Sequence, residues 1–536
     1  MTQVACDVTV GKFIFGANVR VHEFLDCHTE QSPESEFAVC LTERVTYRDA
    51  QNQSDLIARA FVAGGARLGD RISILQKNSI ETTLLFLGAS KAGVVAMPLN
   101  YRLLPSDWLK ICSETQPKWL FCDKEFVPAV EEIKSQLTCV KSLVTTYEQP
   151  LPGWVNFREW VYTQSSKPPS MVFGEGTDAL LLHTSGTTGP PRGAVITHRA
   201  LTAAIAQLRA VAALRPDDRL LLVLPLCHAA GIVTMLHAIS CGACLVIHRD
   251  FDPASFINTL DEEDVTVTMM VPTMIRKCLD EVPNLADRSF AKLRLLIYGA
   301  SPIQQNMMRE MMDVFGCDLA QRYGTTETLS LTWLSPADHR LALGNQPELL
   351  RSAGQPLPGV EIQTVDGNGE SVGSGNRGEI IVRGPQLMRG YWQSSEPVDD
   401  NRLPNDWMRT GDVGSIDSKG YLYICARMND VIISGGENIH PSDIEAVLLE
   451  HPYVDDVAVI GIPDPRWGER VKAFVVSGSG ANCSAERLIE FCRGQLAGFK
   501  VPGTVDFVQS LPRNQAGKLQ RSKLREPYWL GQDRSI

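Results

Sequence analysis

The chain has 536 residues, more than one hydrophobic core fills, since cores stop growing near ~250–300 residues; roughly three or four domain-sized units are expected. Apolar residues make up 44% and charged residues 21%, a balance that excludes disorder and fibre. Asp and Glu number 62 against 51 Lys and Arg, a net charge of −11. That excludes a chain built around a nucleic-acid backbone but not ATP, because backbone donors and a metal offset phosphate charge locally.

The N-terminus shows no basic stretch leading into a long apolar run, so no secretory signal is read there. The 14 cysteines are scattered without a frame, which fits a reducing cytoplasm. "RISILQ", "SIETTLLFLGASKAG" and "VVAMPLN" form a strand–helix–strand unit from Arg71 to Asn100, and "WLFCDK" and "SLVTTY" read as further short strands. Leu220 to Ile247 is long and apolar enough to raise a membrane span. Pro225, His228, Gly231, His237, Ser240 and Gly242 interrupt it, so it reads as strand, turn, short buried helix and strand, with no integral membrane segment. Cys241 and Cys244 lie within it and lack the further ligands zinc requires, so they read as packed thiols. "LRLLIYGAS" is a strand running into a small-residue loop, and a helix follows it. Strands alternating with helices predict an α/β fold with parallel sheets.

From about Gly354 short strands separated by Gly, Asp and Asn turns predict an antiparallel β-rich subdomain. Past Asp430, "SDIEAVLLEHP", "VDDVAVIGI", "VKAFVVSG" and "AERLIEFCRGQL" predict a compact α+β unit. The expected division is a large N-terminal domain, 1–428, and a small mobile C-terminal domain, 429–536.

The functional argument starts at LLHTSGTTGPPRGA, residues 181–194. Hydroxyls and exposed N–H groups can wrap a phosphate, and glycine lets the backbone approach closely. Arg192 adds a cation that can bind in bidentate fashion. The same composition also describes an ordinary polar surface loop, and the Gly-Lys-Ser/Thr of a Walker loop is missing. Gly373-Ser-Gly-Asn-Arg-Gly378 matches G-x-G-x-x-G but leads into a strand rather than a helix, so it reads as a hairpin turn.

"HTSGTTGPPRG" resembles the phosphate-binding signature of the adenylate-forming superfamily of acyl- and aryl-CoA ligases, adenylation domains and luciferases. The family's other stretches follow in order: "PLCHAAG", "YGASP", "QRYGTTET", "RTGDVGSID", "ARMNDVIISGGENIHPSDIE" and "LPRNQAGKLQR". The resemblance implies an enzyme that uses ATP to turn a carboxylic acid into an acyl-adenylate and then passes the acyl group to a thiol, releasing AMP and pyrophosphate. It implies that Thr184, Ser185, Gly186, Thr187, Thr188, Gly189 and Arg192 hold the ATP phosphates. Glu327 would place a Mg²⁺, and Thr326 would face the α-phosphate. Gly299, Ala300, Ser301, Gln321, Tyr323, Gly324 and Thr325 would frame the adenine and the acid. Asp412 and Arg427 would serve the ribose, and His228 would border the acyl pocket. Lys518 would bridge the attacking carboxylate and the α-phosphate. Gly435 and Gly436 would line a pantetheine tunnel, with Trp467 against the thiol donor.

In isolation, Asp412 would be a turn aspartate, Glu327 a solvated carboxylate and Lys518 a surface lysine. Two departures from the family pattern stand out: Arg192 where Lys is usual, and Asn429 at the hinge where Asp or Lys is usual. Val501 and Gly503 are neutral in a stretch that supplies basic CoA contacts in some relatives, although Arg102 offers another cation. The expected substrate is a monocarboxylic acid, fatty or aromatic, because no Lys or Arg obviously faces a second carboxylate. The expected acceptor is CoA, and the alternative is phosphopantetheine on an acyl carrier protein. A non-catalytic ATP- or acyl-binding protein is the reading from another class. A monomer or homodimer is expected.

Overall fold

The computed structural model describes residues 19–146, 149–162, 173–184, 192–212, 214–301, 303, 305–392, 401–435, 437–478, 483–513 and 518–530. Two large sheets form the N-terminal body. One has eight strands, in the order Gly390–Tyr391, Arg192–Thr197, Asp178–Thr184, Val95–Pro98, Arg71–Leu75, Trp119–Cys122, Ser142–Thr145, Val155–Asn156. The other has nine, running from Gln355–Pro356 through Thr332–Leu334, Asp318–Tyr323, Leu295–Gly299, Val267–Met270, Arg219–Leu222 and Cys244–Ile247 to Glu36–Cys40 and Glu43–Thr46. Their centres are parallel, as continuous apolar runs joined by helices require.

Helix Ile80–Lys91 packs on strands of both sheets and is buried along its whole length. That is why its apolar residues are not confined to one stripe. Its N-terminus is capped by Ser79, whose hydroxyl accepts from the Thr82 N–H. The apolar stretch 220–247 is strand, helix Ala229–Ser240 and strand, with Cys241 and Cys244 buried and in no disulfide. No helix among the described residues is long and apolar enough to cross a membrane.

The region after Gly354 forms a four-stranded antiparallel sheet of Glu361–Val365, Gly378–Arg383, Met408–Ile416 and Leu422–Arg427. The G-x-G-x-x-G stretch is the turn between its first two strands. From Ile432 onward a separate five-stranded sheet carries helices Pro441–Leu449 and Ala485–Arg493 over its own apolar clusters.

The hairpin turn also makes a cross-connection. Arg377 forms a bidentate pair with Asp443 on helix Pro441–Leu449, at 2.8 and 2.9 Å, and Lys500 reaches the same carboxylate at 2.6 Å. The two cations hold the Asp443 carboxyl below its ordinary range despite the opposing effect of burial, the largest single influence on it.

One element differs from expectation. Residues 181–194 read as one loop, but Thr184 and Arg192 are the facing ends of an antiparallel strand pair, Asp178–Thr184 with Arg192–Thr197. The Thr184 hydroxyl donates to the Arg192 carbonyl at 3.3 Å. Ser185, Gly186, Thr187, Thr188 and Gly189 lie outside the described residues, as does Gly436.

Candidate active site

The hairpin ends are tied to Glu327 through a tyrosine. Strand Gly390–Tyr391 pairs with Arg192–Thr197, placing Tyr391 opposite Ala194. The Arg192 guanidinium lies 3.6 Å from the centre of the Tyr391 ring, and the Tyr391 hydroxyl donates to Glu327 Oε1 at 2.7 Å. The Glu327 carbonyl accepts from the Met388 N–H at 2.8 Å. A planar guanidinium stacks on an aromatic face in a way an ammonium does not. The unusual arginine therefore has a partner suited to it. Tyr391 had no signature in the sequence beyond an aromatic following a glycine.

Thr325, Thr326 and Glu327 occupy a tight turn after strand Asp318–Tyr323. The Thr325 N–H donates to the Thr328 hydroxyl at 2.9 Å. A β-carbon on Gly324 would lie 1.8 Å from the Leu329 carbonyl oxygen, and one on Gly299 would lie 2.1 Å from that of Arg322. Both positions demand glycine because the backbone passes so close. Ala300 follows in the left-handed region, with φ 65°, a conformation an alanine adopts only where its surroundings enforce it. Ser301 and Gln321 are half-buried, and Gln321 pairs with Tyr298 across the strands.

Tyr323, Asp412 and Arg427 form one group. Asp412 is only 4% exposed. Its Oδ2 accepts from the Tyr323 hydroxyl at 2.6 Å and its Oδ1 pairs with Arg427 Nε at 2.9 Å. Burial, then the Asp412 charge, pushes the Tyr323 phenol well above its ordinary range, so it stays a donor. The carboxylate sits in strand Met408–Ile416, directly across from Arg427 in strand Leu422–Arg427.

Lys518 is brought to this group from the far end of the sequence. The stretch carrying it is pinned by an Arg513–Leu519 bridge and by the Gln520 N–H donating to the Pro512 carbonyl at 2.8 Å. Burial pushes the half-buried ammonium down to about 8, reinforced by Arg427 and opposed by Asp412, Asp430 and Glu327. Four charged residues from the two sequence halves thus act on one cation.

The segment at the expected hinge is clamped by the terminal helix Arg521–Trp529, which starts just after Lys518. Arg525 donates to the Asn429 carbonyl and to Asp430 Oδ1. Arg521 binds Glu445 through both carboxylate oxygens, each at 2.7 Å.

His228 precedes helix Ala229–Ser240 and is half-buried. Burial, then the Arg102 charge, pushes its imidazole down to about 4, so it is neutral near pH 7. Arg102 itself is exposed and lies over the Tyr101 ring. Gly435 and Trp467 are brought together elsewhere. Gly435 has φ 60°, its N–H donates to the Trp467 carbonyl at 2.8 Å, and an added β-carbon would meet the indole at 2.8 Å. Trp467 is 49% exposed, and no hydrogen bond joins this pair to the Asp412 group among the described residues.

A single carboxylate at Glu327 is not a metal cage, and no cluster of three or more His, Cys, Asp or Glu able to hold a metal occurs among the described residues. That donor set fits Mg²⁺, which takes one or two carboxylates and completes its shell with phosphate oxygens and water.

Comparison with known proteins agrees with this arrangement. Residues 25–392 match the model of the AMP-binding enzyme family, and residues 443–518 match the AMP-binding enzyme C-terminal domain. A fatty acid–[acyl-carrier-protein] ligase of Streptomyces coeruleorubidus is 33% identical over 515 residues, covering 95% of this chain and 96% of the relative. An indoleacetate–CoA ligase of Aromatoleum aromaticum is 32% identical over 95% of this chain and 98% of its own length. Among solved structures, ATP-bound MatB of Rhodopseudomonas palustris superposes with a TM-score of 0.86 at 28% identity, over 95% of this chain and 99% of that one. The chain belongs to the AMP-binding enzyme family and is an adenylate-forming acid–thiol ligase.

Proposed function

We propose that this enzyme activates a fatty or aromatic carboxylic acid with ATP to an acyl-adenylate and transfers the acyl group to the thiol of CoA, releasing AMP and pyrophosphate. The observation that carries the reading is the convergence of Lys518 on Asp412, Arg427 and Glu327. In-line attack on an α-phosphate asks for positioning and charge neutralisation more than for covalent chemistry. Lys518 supplies a positive charge between the attacking carboxylate and the α-phosphate, with Thr326 beside it. The phosphate hairpin, from Thr184 to Arg192, holds the leaving pyrophosphate, and Asp412 accepts from the ribose hydroxyls. A Mg²⁺ at Glu327 would neutralise phosphate charge. His228, uncharged, borders the acid pocket without attracting the substrate carboxylate away from Lys518.

Transfer to the thiol follows rotation of residues 429–536 about Asn429 relative to the body of 1–428. Gly435, Gly436 and Trp467 then line the path of the thiol arm. A carrier-bound phosphopantetheine is the second reading, favoured by one observation. Lys500, the remaining cation beside neutral Val501 and Gly503, is engaged by Asp443, which leaves fewer charges for the CoA nucleotide.

Pyrophosphate release across a panel of acids, with CoA and holo-carrier protein supplied separately, tests both readings. CoA-dependent turnover is expected. Turnover with holo-carrier alone would replace CoA as the acceptor, and acid-independent ATP hydrolysis would refute ligase activity.

The pH profile gives a further check. Lys518 must be protonated to act, and its value near 8 means the cation is lost as pH rises through 8. The kcat/KM for adenylation should therefore fall tenfold per pH unit above about 8, because it reports the free enzyme. Bound phosphates favour the ammonium form, so the limb in kcat should lie at higher pH. Coincident limbs would contradict the placement of Lys518 beside the phosphates.

A further inference from the structure

The G-x-G-x-x-G hairpin leads into a strand instead of a nucleotide-binding helix, yet it carries a cation to the proposed boundary at Asn429. Gly373 and Gly375, with φ 76° and 80°, turn the chain in a conformation open to glycine. The turn is braced against strand Met408–Ile416. The Gly375 N–H and the Ser374 hydroxyl both donate to the Ile416 carbonyl, at 2.7 and 3.2 Å. Arg377, the residue just before strand Gly378–Arg383, is thereby fixed to the body of 1–428.

On the other side of Asn429, Asp443 sits in the first turn of helix Pro441–Leu449, where the helix N-terminus favours a carboxylate. Two cations share it, and they come from different sides of the boundary. Arg377 contributes both arms of its guanidinium, Nη1 to Oδ2 at 2.8 Å and Nη2 to Oδ1 at 2.9 Å. Lys500, 2.6 Å from Oδ2, ends the short helix Gly498–Lys500 within 429–536. A turn of that unit about Asn429 carries Asp443 and Lys500 together and draws them away from Arg377. The Asp443 side chain is only 17% exposed, and an enclosed carboxylate that loses its one partner is costly. Lys500 and the helix end keep this one paired after Arg377 has gone.

We propose that Arg377 and Lys500 are positioning residues with opposite effects. Arg377 holds the C-terminal unit in the arrangement that sets Lys518 within reach of Asp412, and Lys500 keeps Asp443 neutralised when Arg377 lets go, so that the unit can turn for thiol transfer. The inference rests on the rotation proposed above. The two-pronged contact is geometrically specific. The Arg377 side chain is also 41% exposed, which keeps the pair weak enough to break in each turnover. Arg351 and Glu450 form another pair across the boundary, at 3.7 Å and with both side chains more than half exposed. It has no such fork, so its loss should move neither half-reaction.

The test follows the two half-reactions separately: acid-dependent ATP–pyrophosphate exchange, and transfer from supplied acyl-adenylate to a saturating thiol acceptor. Arg377→Met should lower kcat for exchange about three- to tenfold, the upper range for a partly solvated pair because the fork is bidentate. The KM for ATP and acid should stay unchanged and transfer undiminished. Arg377→Lys should fall between, keeping charge but losing the planar fork, and it supplies the same reading if the Met variant does not fold. Lys500→Met should do the reverse, lowering kcat for transfer by a similar factor while exchange is kept. Arg351→Ala should change neither.

Equal falls of both half-reactions, or an unchanged exchange kcat in Arg377→Met, overturn the inference, since a merely structural pair would weaken both steps. If Lys500→Met raises the KM for the acceptor and leaves kcat for transfer alone, Lys500 touches the acceptor instead and its assigned role is refuted. Wild-type exchange with no acid at all sinks the adenylation reading. Rotation is checked apart from the pair with Asn429→Pro. Met428–Asp430 is a short helical turn, a backbone proline tolerates, so exchange should persist while the fixed φ hinders transfer. Transfer at the wild-type rate in that variant sinks rotation about Asn429, whereas hindered transfer beside an indifferent Arg377→Met sinks only the role of the pair.

Discussion

Lys518→Ala is expected to lower acid-dependent pyrophosphate exchange by about 10²–10³-fold, the scale of removing one preorganised group that stabilises developing charge. Transfer to the thiol from supplied acyl-adenylate should be little changed, because the bond to the α-phosphate is already made when that step begins. The asymmetry is the diagnostic part. Equal loss of both half-reactions would mean that Lys518 supports the site as a whole. Unfolding can be separated from lost chemistry on physical grounds. The folded value near 8 lies below that of an unfolded lysine. Below pH 8 the folded enzyme therefore carries a proton that burial disfavours, and that penalty is relieved as pH rises from about 8 toward the unfolded value. Alanine removes the penalty, so Tm at pH 7 should not drop. A large fall in Tm would shift the explanation to structure.

The parallel sheets are legible because their strands are buried on both faces, and the runs Trp119–Cys122 and Leu295–Gly299 are apolar without alternation. Segments with turn chemistry, such as residues 373–378, are legible for a similar reason: glycine and asparagine confine them to a hairpin. Much of the site is legible only as ordered motifs. Nothing local indicates that Lys518, more than a hundred residues beyond Asp412, lies within reach of its charge. Tyr391 escapes because its partners, Arg192 and Glu327, are distant in sequence and meet it only through strand pairing.

The extended hairpin at Thr184 and Arg192 was hidden because glycine and hydroxyl residues dominate the segment between, and they mask how far the flanking strands run. The cross-connection from Arg377 to Asp443 is invisible for the reason that applies to Lys518: both partners are ordinary surface residues until the two sequence halves are brought together.

Asp412→Ala carries the second large expectation. The carboxylate is buried and holds both the Tyr323 hydroxyl and the Arg427 guanidinium. Removing it leaves Arg427 without its ion pair, and breaking a buried pair costs about 3 kcal/mol or more. Tm should therefore fall. In the proposed role Asp412 also accepts from the ribose, and a charge-assisted hydrogen bond is worth about 1.5–3 kcal/mol. The KM for ATP should then rise roughly a hundredfold. Asp412→Asn keeps the shape and separates the two effects, because Tyr323 retains an acceptor while the charge is lost.

That loss reaches Lys518, since Asp412 is the strongest of the groups raising its value and Arg427, left uncompensated, lowers it. Both changes disfavour the ammonium form. The high-pH limb of kcat/KM in Asp412→Asn should move below 8, a shift that a ribose contact alone would not produce. A dideoxyribose ATP analogue completes the test. It should bind worse than ATP to the wild-type enzyme and about equally to Asp412→Ala. If the variant still distinguishes the two nucleotides as the wild type does, the ribose hydroxyls are held elsewhere, and Asp412 acts only by orienting Arg427 and tuning Lys518.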